Sequence, residues 1–409
     1  MIALGITLRG RGHRATVITN EVFADTVRSA GLEFIALGTA AEGQAVIADP
    51  RLWHPVHAFQ CIAERIFIPN LPRLYDIIAG YAGSNVVVAA SGTCLGARVA
   101  QEKLGVRLAT IHLQPAMFRS LIDSGRQGRI AMGPRVPRLI KKSLFWLIDT
   151  FFLNRHLLPE LNAFRIPLGL QPVKSVFAGY LHSTELVIGL FPEWFAPPQP
   201  DWPPHTHLTG FVLYDRGGEP EAAMTADAFL DAGPPPVLFT TGSATKGQER
   251  FFLESVEACR LSGLRGMLVT NFPEQLPADL PPFVQAFSYL PFSRILPRCA
   301  ALVCYGGIGT LAQAIKAGIP HLVVPNAHDQ PDNALRIERL GLGRGLYPER
   351  YKAATVARTL NEIIGSRQLQ QRCRHYAQEI DTETTLRRTA ELIEQLGDRP
   401  VSTTSLPVH

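Results

Sequence analysis

Short apolar runs of strand length alternate along this chain with longer helical segments, and this alternation is the feature that most restricts its fold. Runs such as VVVAA at 86–90 and LVVP at 322–325 are apolar at every position, not at every second one. A strand has this pattern when helices cover both faces of a parallel sheet. The sequence therefore predicts an α/β fold of the doubly wound type. The predicted strands are 14–19, 85–91, 107–113, 186–191, 237–241, 266–270, 283–287, 301–304 and 321–325.

A proline-rich stretch at 191–204 separates the two series of strands, and further proline- and glycine-containing breaks follow it. Proline fixes φ and prevents a helix from continuing, so these segments are typical of a connection between domains. We predict two Rossmann-like domains that face each other across a cleft, the default place for a ligand. The first covers 1–213, the second covers 214–397, and 398–409 forms a mobile tail.

Composition excludes several other classes of protein. Hydrophobic residues make up 46% of the 409 residues and charged residues 18%, enough apolar surface for large cores. The net charge of +5 is too small to indicate a nucleic-acid partner. The six cysteines form no CxxC pair and no zinc-type spacing, which predicts no metal site and a reducing, cytoplasmic compartment. No apolar run reaches the ~20 residues of a membrane span.

One segment of the first half, 126–153, combines six basic residues with the apolar run SLFWLIDTFFL. One interpretation is an inserted helix that packs on its own domain. The other is a surface that contacts lipids or an amphiphilic acceptor, because basic charge beside aromatic side chains suits a membrane interface. The sequence leaves both interpretations open, and the second predicts peripheral membrane association.

The strongest candidate for a functional site lies between residues 304 and 333. A strand ends at Cys304 and leads into the turn YGGIGT, then a helix, then a further strand followed by NAHDQPDN. The glycines let the backbone approach an anion closely. A helix that begins near Ile308 would direct its unpaired amides and the positive end of its dipole at that anion. The sequence therefore predicts a diphosphate site at this turn.

These residues resemble the GT-B nucleotide-sugar glycosyltransferases of family 1, most closely the rhamnosyltransferase branch that acts in rhamnolipid biosynthesis. The resemblance extends over nearly the whole chain. It rests on the stretches FPEWFAPPQPDWP, LFTTGSAT, LPRCAALVCYGGIGT and PNAHDQPDNALRIERLG. It implies the GT-B fold and a nucleotide diphosphate sugar as co-substrate, with no further cofactor.

The resemblance also implies roles for individual residues. Asp329 and Gln330 would hydrogen-bond the hydroxyls of the donor sugar, for which a carboxylate beside an amide is well suited. Tyr289 would stack on the nucleotide base, and the loop that begins at Thr241 would close over the diphosphate. The complete predicted donor site consists of Thr241, Gly242, Ser243, Tyr289, Cys304, Gly306, Gly307, Ile308, Gly309, Thr310, His328, Asp329 and Gln330.

The chain departs from the family in three places. Cys304 stands where the family usually has a phosphate-contacting histidine, and Ala312 stands where plant members have a ribose-binding glutamate. The chain also begins inside the family's first helix, so the first strand of the N-terminal domain and the glycine-rich loop that usually carries the catalytic base are expected upstream of Met1. A misassigned start or a truncated reading frame is the corresponding hypothesis. The catalytic base is therefore unassigned, with His112 as a weak substitute at the end of a strand.

Together these observations predict an inverting, metal-independent glycosyltransferase. The expected reaction moves L-rhamnose from dTDP-rhamnose to a hydroxyl of a lipid-like acceptor such as a hydroxyalkanoyloxyalkanoate. Two alternatives stay open at this point. One is glucosyl transfer from a UDP-sugar to a sterol, polyketide or other small lipid, and the other is a catalytically defective, truncated binder of nucleotide sugars. A dinucleotide-dependent oxidoreductase is disfavoured because no GxGxxG follows a first strand.

Overall fold

The computed structural model describes residues 1–54, 57–215, 220–242 and 244–399. These form two α/β domains, each built around parallel strands, with a cleft between them. The predicted tail at 398–409 lies outside the described residues from position 400 onward.

The first domain contains eight strands and eight α-helices among its described residues. The strands are β1 (Thr16–Thr19), β2 (Glu33–Ala36), β3 (Val87–Ser91), β4 (Arg107–His112), β5 (Arg126–Gln127), β6 (Ile130–Ala131), β7 (Leu186–Gly189) and β8 (Thr206–Leu208). The helices are α1 (Ile2–Gly10), α2 (Ala24–Ser29), α3 (Ala40–Ala48), α4 (Ala58–Ile62), α5 (Ile68–Ala79), α6 (Leu95–Leu104), α7 (Arg138–Ile148) and α8 (Asn154–Arg165).

The second half of the chain alternates strands and helices in the same way. Its strands are β9 (Val237–Thr240), β10 (Gly266–Val269), β11 (Val284–Phe287), β12 (Ala301–Cys304), β13 (His321–Val323) and β14 (Gly343–Gly345). Its helices are α9 (Pro220–Asp231), α10 (Glu249–Ser262), α11 (Phe292–Ile295), α12 (Ile308–Ala317), α13 (Gln330–Leu340), α14 (Ala353–Gly365), α15 (Arg367–Gln378) and α16 (Thr382–Asp398).

The second domain has one continuous sheet of six parallel strands in the order β11-β10-β9-β12-β13-β14. Every residue of β9, β10, β12 and β13 is buried, as expected for strands with helices on both faces. The carboxyl ends of these strands meet at one edge, and the glycine turn after β12 therefore opens towards the cleft.

The first domain divides its parallel strands between two separate sheets. The strands β1 and β2 pair with each other, and β3, β4, β7 and β8 form a second sheet in that order. All four residues of β1 and the first four of β3 are only half-buried, in contrast to the strands of the second domain. The prediction of a further strand upstream of Met1 stays a prediction.

The last helix, α16, returns to the first domain. Ile393 and Leu396 of this helix join Leu4, Ile111 and Ile188 in one apolar cluster. The guanidinium of Arg11 donates two hydrogen bonds to the carboxylate of Glu394, at 2.8 and 2.7 Å. Although the segment 382–398 follows the second domain in sequence, it completes the core of the first.

The chain crosses between the domains in two neighbouring places. The hydroxyl of Thr389 in α16 donates to the hydroxyl of Thr209, at 2.9 Å, just before the first crossing. Gly210 has a φ of +114°, and a Cβ built there would lie 2.4 Å from the hydroxyl oxygen of Thr385. The two crossings are therefore packed against each other and leave room for only a glycine at this position.

All nine predicted strands occur in the structure, with ends that shift by at most two residues. Pro331 lies in the first turn of α13, where its missing N–H costs no helical hydrogen bond. Helix α14 begins at Ala353, after the N-cap Lys352. The sequence did not indicate β2, β8 and β14, nor the short antiparallel pair β5–β6. The chain thus has the predicted α/β architecture in two domains.

Candidate functional site

The cleft between the two domains has a volume of about 1240 Å³. The second domain contributes Gly242, Tyr289, Gly309 and Thr310 of the predicted donor residues to its wall. The first domain contributes both apolar and polar side chains to the opposite wall. The apolar ones include Ile18, Val22, Phe23, Leu37 and Val46, and the polar ones include Asn20, Glu42 and Arg73.

The glycine turn after β12 has the geometry that the sequence predicts. Gly306 has a φ of +93°, which glycine adopts at no steric cost, and a Cβ at this position would lie 2.5 Å from Cγ1 of Val323. By contrast, a Cβ on Gly307 or Gly309 would meet no protein atom within 4 Å. The first glycine is therefore required by the fold, and the other two leave open space over the backbone.

The amino end of α12 carries the anion-binding capacity of this site. Gly307 is the N-cap and provides no side chain to cap the helix. The first amides of a helix have no partner within the helix and carry a partial positive charge. Because Gly309 and Thr310 line the cleft, these amides are directed towards its space.

Asn333 connects the glycine turn to the predicted sugar-binding pair. Its amide nitrogen donates to the carbonyl oxygen of Gly306, at 2.9 Å, and to the Oδ2 atom of Asp329, at 2.7 Å. Asn333 is fully buried on α13, one turn after Asp329. It was not among the predicted site residues, although its spacing of four residues from Asp329 places both on one face of a helix.

Asp329 and Gln330 lie at the start of α13 and are not among the residues that line the cleft. Burial raises the pKa of the Asp329 carboxyl to about 6, with a smaller contribution from Asp332, whereas the hydrogen bond from Asn333 lowers it. The Oε1 atom of Gln330 accepts hydrogen bonds from the amides of Asn326 and Ala327, at 2.8 and 3.0 Å. The side-chain oxygen of Gln330 thus stabilises the loop that precedes α13. Its side-chain nitrogen is the atom that could donate to a sugar hydroxyl.

Two cleft residues absent from the sequence prediction add polar groups near Tyr289. The amide nitrogen of Gln313 donates to Oδ1 of Asp215, at 3.0 Å, and Oδ2 of Asp215 accepts from the amide of Ser293, at 2.8 Å. The Oε1 atom of Gln313 is buried and has no hydrogen-bond partner among the described residues. Gln313 follows Thr310 by three residues, so the helical period would have placed it on the same face.

The loop after β9 contributes Gly242 to the wall of the cleft. Gly242 has a φ of +93°, and its amide donates to the hydroxyl of Thr240, at 3.2 Å. The hydroxyl of Thr241 is buried and unpaired within the described part of the chain. Ser243, the third predicted residue of this loop, lies outside the described residues.

Cys304 lies behind the site and not at its surface. It is only 2% exposed, and burial raises the pKa of its thiol to about 12. A neutral thiol is a weak hydrogen-bonding group. The adjacent Tyr305 donates its hydroxyl to the side chain of Gln248 and packs its ring edge against Phe251. Neither side chain lines the cleft.

His328 makes a contact between the two domains. Its ring lies 5.3 Å from the ring of Trp53, measured between centroids, at an angle of 72°. His328 also has a φ of +57°, which a non-glycine residue rarely adopts. The residue therefore holds the donor loop against the first domain.

The segment 123–131 forms a second contact between the domains, which we call the latch. The backbone amide of Arg126 donates to Asp332, at 2.9 Å, and its guanidinium donates to the hydroxyl of Tyr347. Arg129 forms an ion pair with Glu349. The first part of the predicted lipid-contacting segment 126–153 therefore binds the second domain.

His112, the weak candidate for a catalytic base, is 2% exposed and does not line the cleft. Its Nε2 atom lies 3.0 Å from Nδ1 of His182, and its ring packs edge-on against Phe118. Burial, reinforced by His182, lowers the pKa of His112 to about 3. The structure thus places this histidine inside the first domain, paired with a residue from a distant loop.

In the part of the chain that the structure describes, no group of three or more histidine, cysteine, aspartate or glutamate side chains is arranged to hold a metal ion. Across the same ranges, no helix is both long and apolar enough to cross a bilayer. All six cysteines are free thiols.

The second domain of this chain is similar in sequence to a known family of protein domains. Residues 266–396 match the family model of the erythromycin biosynthesis protein CIII-like C-terminal domain. This match contains the strands β10–β13 and the complete glycine turn. It therefore covers most of the predicted donor site.

Relatives and solved structures match nearly the whole chain. The O-mycaminosyltylonolide 6-deoxyallosyltransferase of Streptomyces fradiae is 27% identical over 97% of this chain and 94% of its own. The calicheamicin glycosyltransferase CalG4 superimposes with a TM-score of 0.71 at 19% identity, covering 97% of this chain and 94% of the other. The spinosyn rhamnosyltransferase SpnG complexed with thymidine diphosphate gives a TM-score of 0.66 at 20% identity, with 96% and 95% covered.

Proposed function

We propose that this chain, a glycosyltransferase with the GT-B fold, moves L-rhamnose from dTDP-rhamnose to a hydroxyl group of a lipid-like acceptor such as a hydroxyalkanoyloxyalkanoate. A relative named for 6-deoxyallosyl transfer and a structural neighbour named as a rhamnosyltransferase, solved with thymidine diphosphate, support a 6-deoxy sugar on a thymidine nucleotide. The apolar side chains that the first domain contributes to the cleft, such as Ile18, Phe23 and Val46, support a lipid-like acceptor.

The observation that carries the proposal is the open amino end of α12. Gly307 and Gly309 leave the first amides uncovered, and Gly309 and Thr310 face the cleft. A diphosphate bound there accepts hydrogen bonds from several amides and lies at the positive end of the helix dipole. The same amides stabilise the charge that develops on the diphosphate as it leaves the sugar.

The nucleoside would extend from this turn along the cleft wall. The ring of Tyr289 offers a face on which the base can stack. The unpaired Oε1 atom of Gln313 is then placed to accept a hydrogen bond from a hydroxyl of the deoxyribose. Asp215 fixes the orientation of the Gln313 amide through the hydrogen bond at 3.0 Å.

The sugar would lie between the diphosphate and the start of α13. The carboxylate of Asp329 accepts hydrogen bonds from sugar hydroxyls, and the amide nitrogen of Gln330 donates to them. Asn333 sets the position of this carboxylate relative to the glycine turn. Inversion follows when a general base removes the acceptor proton and the oxygen attacks the anomeric carbon from the face opposite the diphosphate. The proposal needs no metal or cofactor.

Gly309→Val tests the diphosphate site directly. A Cβ at this position meets no protein atom within 4 Å, so the variant should fold, but its methyl groups would extend into the proposed space of the diphosphate. We expect calorimetric binding of dTDP to weaken at least tenfold and transfer to disappear in mass spectra of the products. Gly365→Val, at the end of α14 and equally unhindered, is the matched control and should bind dTDP normally. Unchanged dTDP binding by Gly309→Val would refute the assignment.

A second candidate function is transfer to a natural-product aglycone. The similar proteins are named for O-mycaminosyltylonolide, calicheamicin and spinosyn, and this favours a bulky, compact acceptor. Competition assays separate the candidates when dTDP-rhamnose and UDP-glucose are each offered with a hydroxyalkanoyl lipid, a sterol and a macrolide aglycone. Product formed only from UDP-glucose, or only on the aglycone, would replace the proposed donor or acceptor.

A further inference from the structure

Large apolar side chains are exposed in one short region of the first domain, at α7 and the turn 149–153 that follows it. Six such side chains lie within fourteen residues, and each is at least 41% exposed. They are Leu139, Ile140, Trp146, Leu147, Phe151 and Phe152. We call this set the α7 face. Scattered apolar residues are normal on a protein surface, but a contiguous patch marks an interaction site.

The α7 face is a continuous stripe along the helix. Leu139 and Trp146 are seven residues apart, as are Ile140 and Leu147, and a spacing of two turns places each pair on the same side. The rings of Trp146 and Phe151 pack edge to face with centroids 6.2 Å apart. The stripe therefore continues from the helix into the turn.

The opposite side of the helix is fixed to the domain. Lys141 is completely buried, and its ammonium group donates to the carbonyl oxygens of Leu121 and Ile122. Phe145 is buried one turn later, and the carboxylate of Asp149 forms an ion pair with Arg119, at 2.7 Å. The outward direction of the α7 face is thus set by polar and apolar contacts, so the face cannot turn inward without breaking them.

Exposed basic side chains lie on α7 and next to the α7 face in the sequence. Arg135, Arg138, Lys142 and Arg155 are exposed, and none of them forms an ion pair with a described residue. The only acidic residue between positions 135 and 156 is Asp149, whose charge is neutralised by Arg119. The region thus presents aromatic and aliphatic side chains within uncompensated positive charge.

We infer that the α7 face binds the surface of a bilayer that contains anionic phospholipids, with the helix parallel to the membrane plane. Aromatic and aliphatic side chains enter the boundary between headgroups and acyl chains, and basic side chains contact the anionic headgroups. A second copy of this chain fits less well, since a symmetric dimer would bring the same unpaired basic residues close to one another. This inference goes beyond the proposed function, because it holds whichever sugar is transferred.

Sedimentation with vesicles tests the inference on the full chain. We expect binding to vesicles of phosphatidylcholine with 30% phosphatidylglycerol, much weaker binding to phosphatidylcholine alone, and release at 0.5 M NaCl. The variant Trp146→Ser/Phe151→Ser and the variant Arg138→Glu/Lys142→Glu should each lower the partition coefficient at least tenfold. All four side chains are exposed, so both variants should melt at the wild-type temperature.

Matched controls separate this face from general effects of hydrophobicity and charge. Met224→Ser/Leu253→Ser removes equally exposed apolar side chains, and Arg250→Glu/Arg358→Glu makes the same change in charge, both on the second domain. These controls should bind vesicles like the wild type. Trp146→Phe should also bind, but should lose the blue shift of tryptophan fluorescence that vesicles induce in the wild type.

Three results would overturn the inference. These are absence of wild-type binding to the anionic vesicles, equal binding by the α7-face variants, and a dimer in sedimentation velocity that the α7-face substitutions dissociate. Binding of dTDP is measured on the same samples. A failure of membrane binding is thereby distinguished from a failure of the proposed function.

Discussion

The two domains share one architecture but differ in how completely their sheets are built. In the second domain six parallel strands form one sheet, and β9, β10, β12 and β13 are buried along their whole length. In the first domain the parallel strands belong to two sheets, and β1, β2 and β3 contain no fully buried residue. The domain with the continuous sheet carries the proposed donor site.

This difference indicates where rigidity is needed. A diphosphate site made of backbone amides works only if a strand, a turn and a helix keep a fixed relation, which a fully buried sheet provides. The apolar side chains on the first domain's side of the cleft depend less on fixed geometry, because apolar contact is not directional. We therefore expect stability, as well as nucleotide binding, to be concentrated in the second domain.

The largest expected effect compares one phenylalanine in each domain. Phe239 in β9 is fully buried, whereas Phe34 in β2 is half-buried and lies under the guanidinium of Arg28. Phe239→Ala should lower the free energy of unfolding by about 3–5 kcal/mol, and Phe34→Ala by less than about 2 kcal/mol. Chemical denaturation followed by circular dichroism measures both. Equal losses would show that the two sheets are equally well packed.

An intermediate loss of stability is expected for substitutions in α16, the helix that follows the second domain in sequence but packs in the core of the first. Ile393→Ala should cost about 2–4 kcal/mol and should speed amide hydrogen exchange in β4 and β7 while β12 and β13 stay protected. Val356→Ala in α14, which packs within the second domain, is the control. It should speed exchange in β12 and β13 while β4 and β7 stay protected. Faster exchange in β12 after Ile393→Ala would contradict the assignment of α16 to the first domain's core.

The smallest effect concerns the charge of Asp329. Its pKa of about 6 in the folded chain exceeds the ordinary value of 3.8, so the group favours folding most at low pH and loses that contribution as the pH rises towards 6. Asp329→Asn should therefore stabilise the chain at pH 7.5 by on the order of 2 kcal/mol, and hardly at all at pH 4. Denaturation midpoints at several pH values measure this, and the same variant should lose sugar transfer.

The neighbouring carboxylate provides the control for this prediction. Asp332 accepts hydrogen bonds from the guanidinium of Arg336, at 2.8 Å, and from the amide of Arg126, at 2.9 Å. Asp332→Asn removes a buried, paired charge and should destabilise the chain at pH 7.5. If Asp329→Asn also destabilised it at this pH, the carboxylate of Asp329 would be stabilised in the fold and not held there at a cost.

The sequence predicted the fold well because the strands of a doubly wound sheet are continuous apolar runs. The runs at 237–241 and 301–304 correspond closely to β9 and β12. The strands that were missed, such as β8 with the sequence THL and β14 with GRG, contain too few apolar residues to produce such a run. Their positions follow from pairing with β7 and β13, which is information that the local sequence does not contain.

The parts of the candidate site that depend on local backbone geometry were predictable from the sequence. The parts that depend on contacts between side chains far apart in the sequence were less predictable. The glycine turn was evident from its three glycines. Gly306 has a positive φ that favours glycine, and Gly307 and Gly309 leave the backbone uncovered for a ligand. The pairing of His112 with His182 joins residues seventy positions apart, so nothing near His112 indicates that its ring is enclosed. The role of Gln313 likewise depends on Asp215, which lies ninety-eight residues earlier in the chain.

The neighbouring crossings at Thr209 and α16 have a mechanical consequence for the cleft. Because the two connections are hydrogen-bonded to each other, we expect them to act as one hinge and to restrict twisting of one domain against the other. The remaining freedom is a swing about that hinge, and the latch at 123–131 must give up its ion pair and hydrogen bonds for such a swing. Substrate entry and product release would therefore use the same opening movement of the domains. The energy barrier to that movement would come from the few polar contacts of the latch.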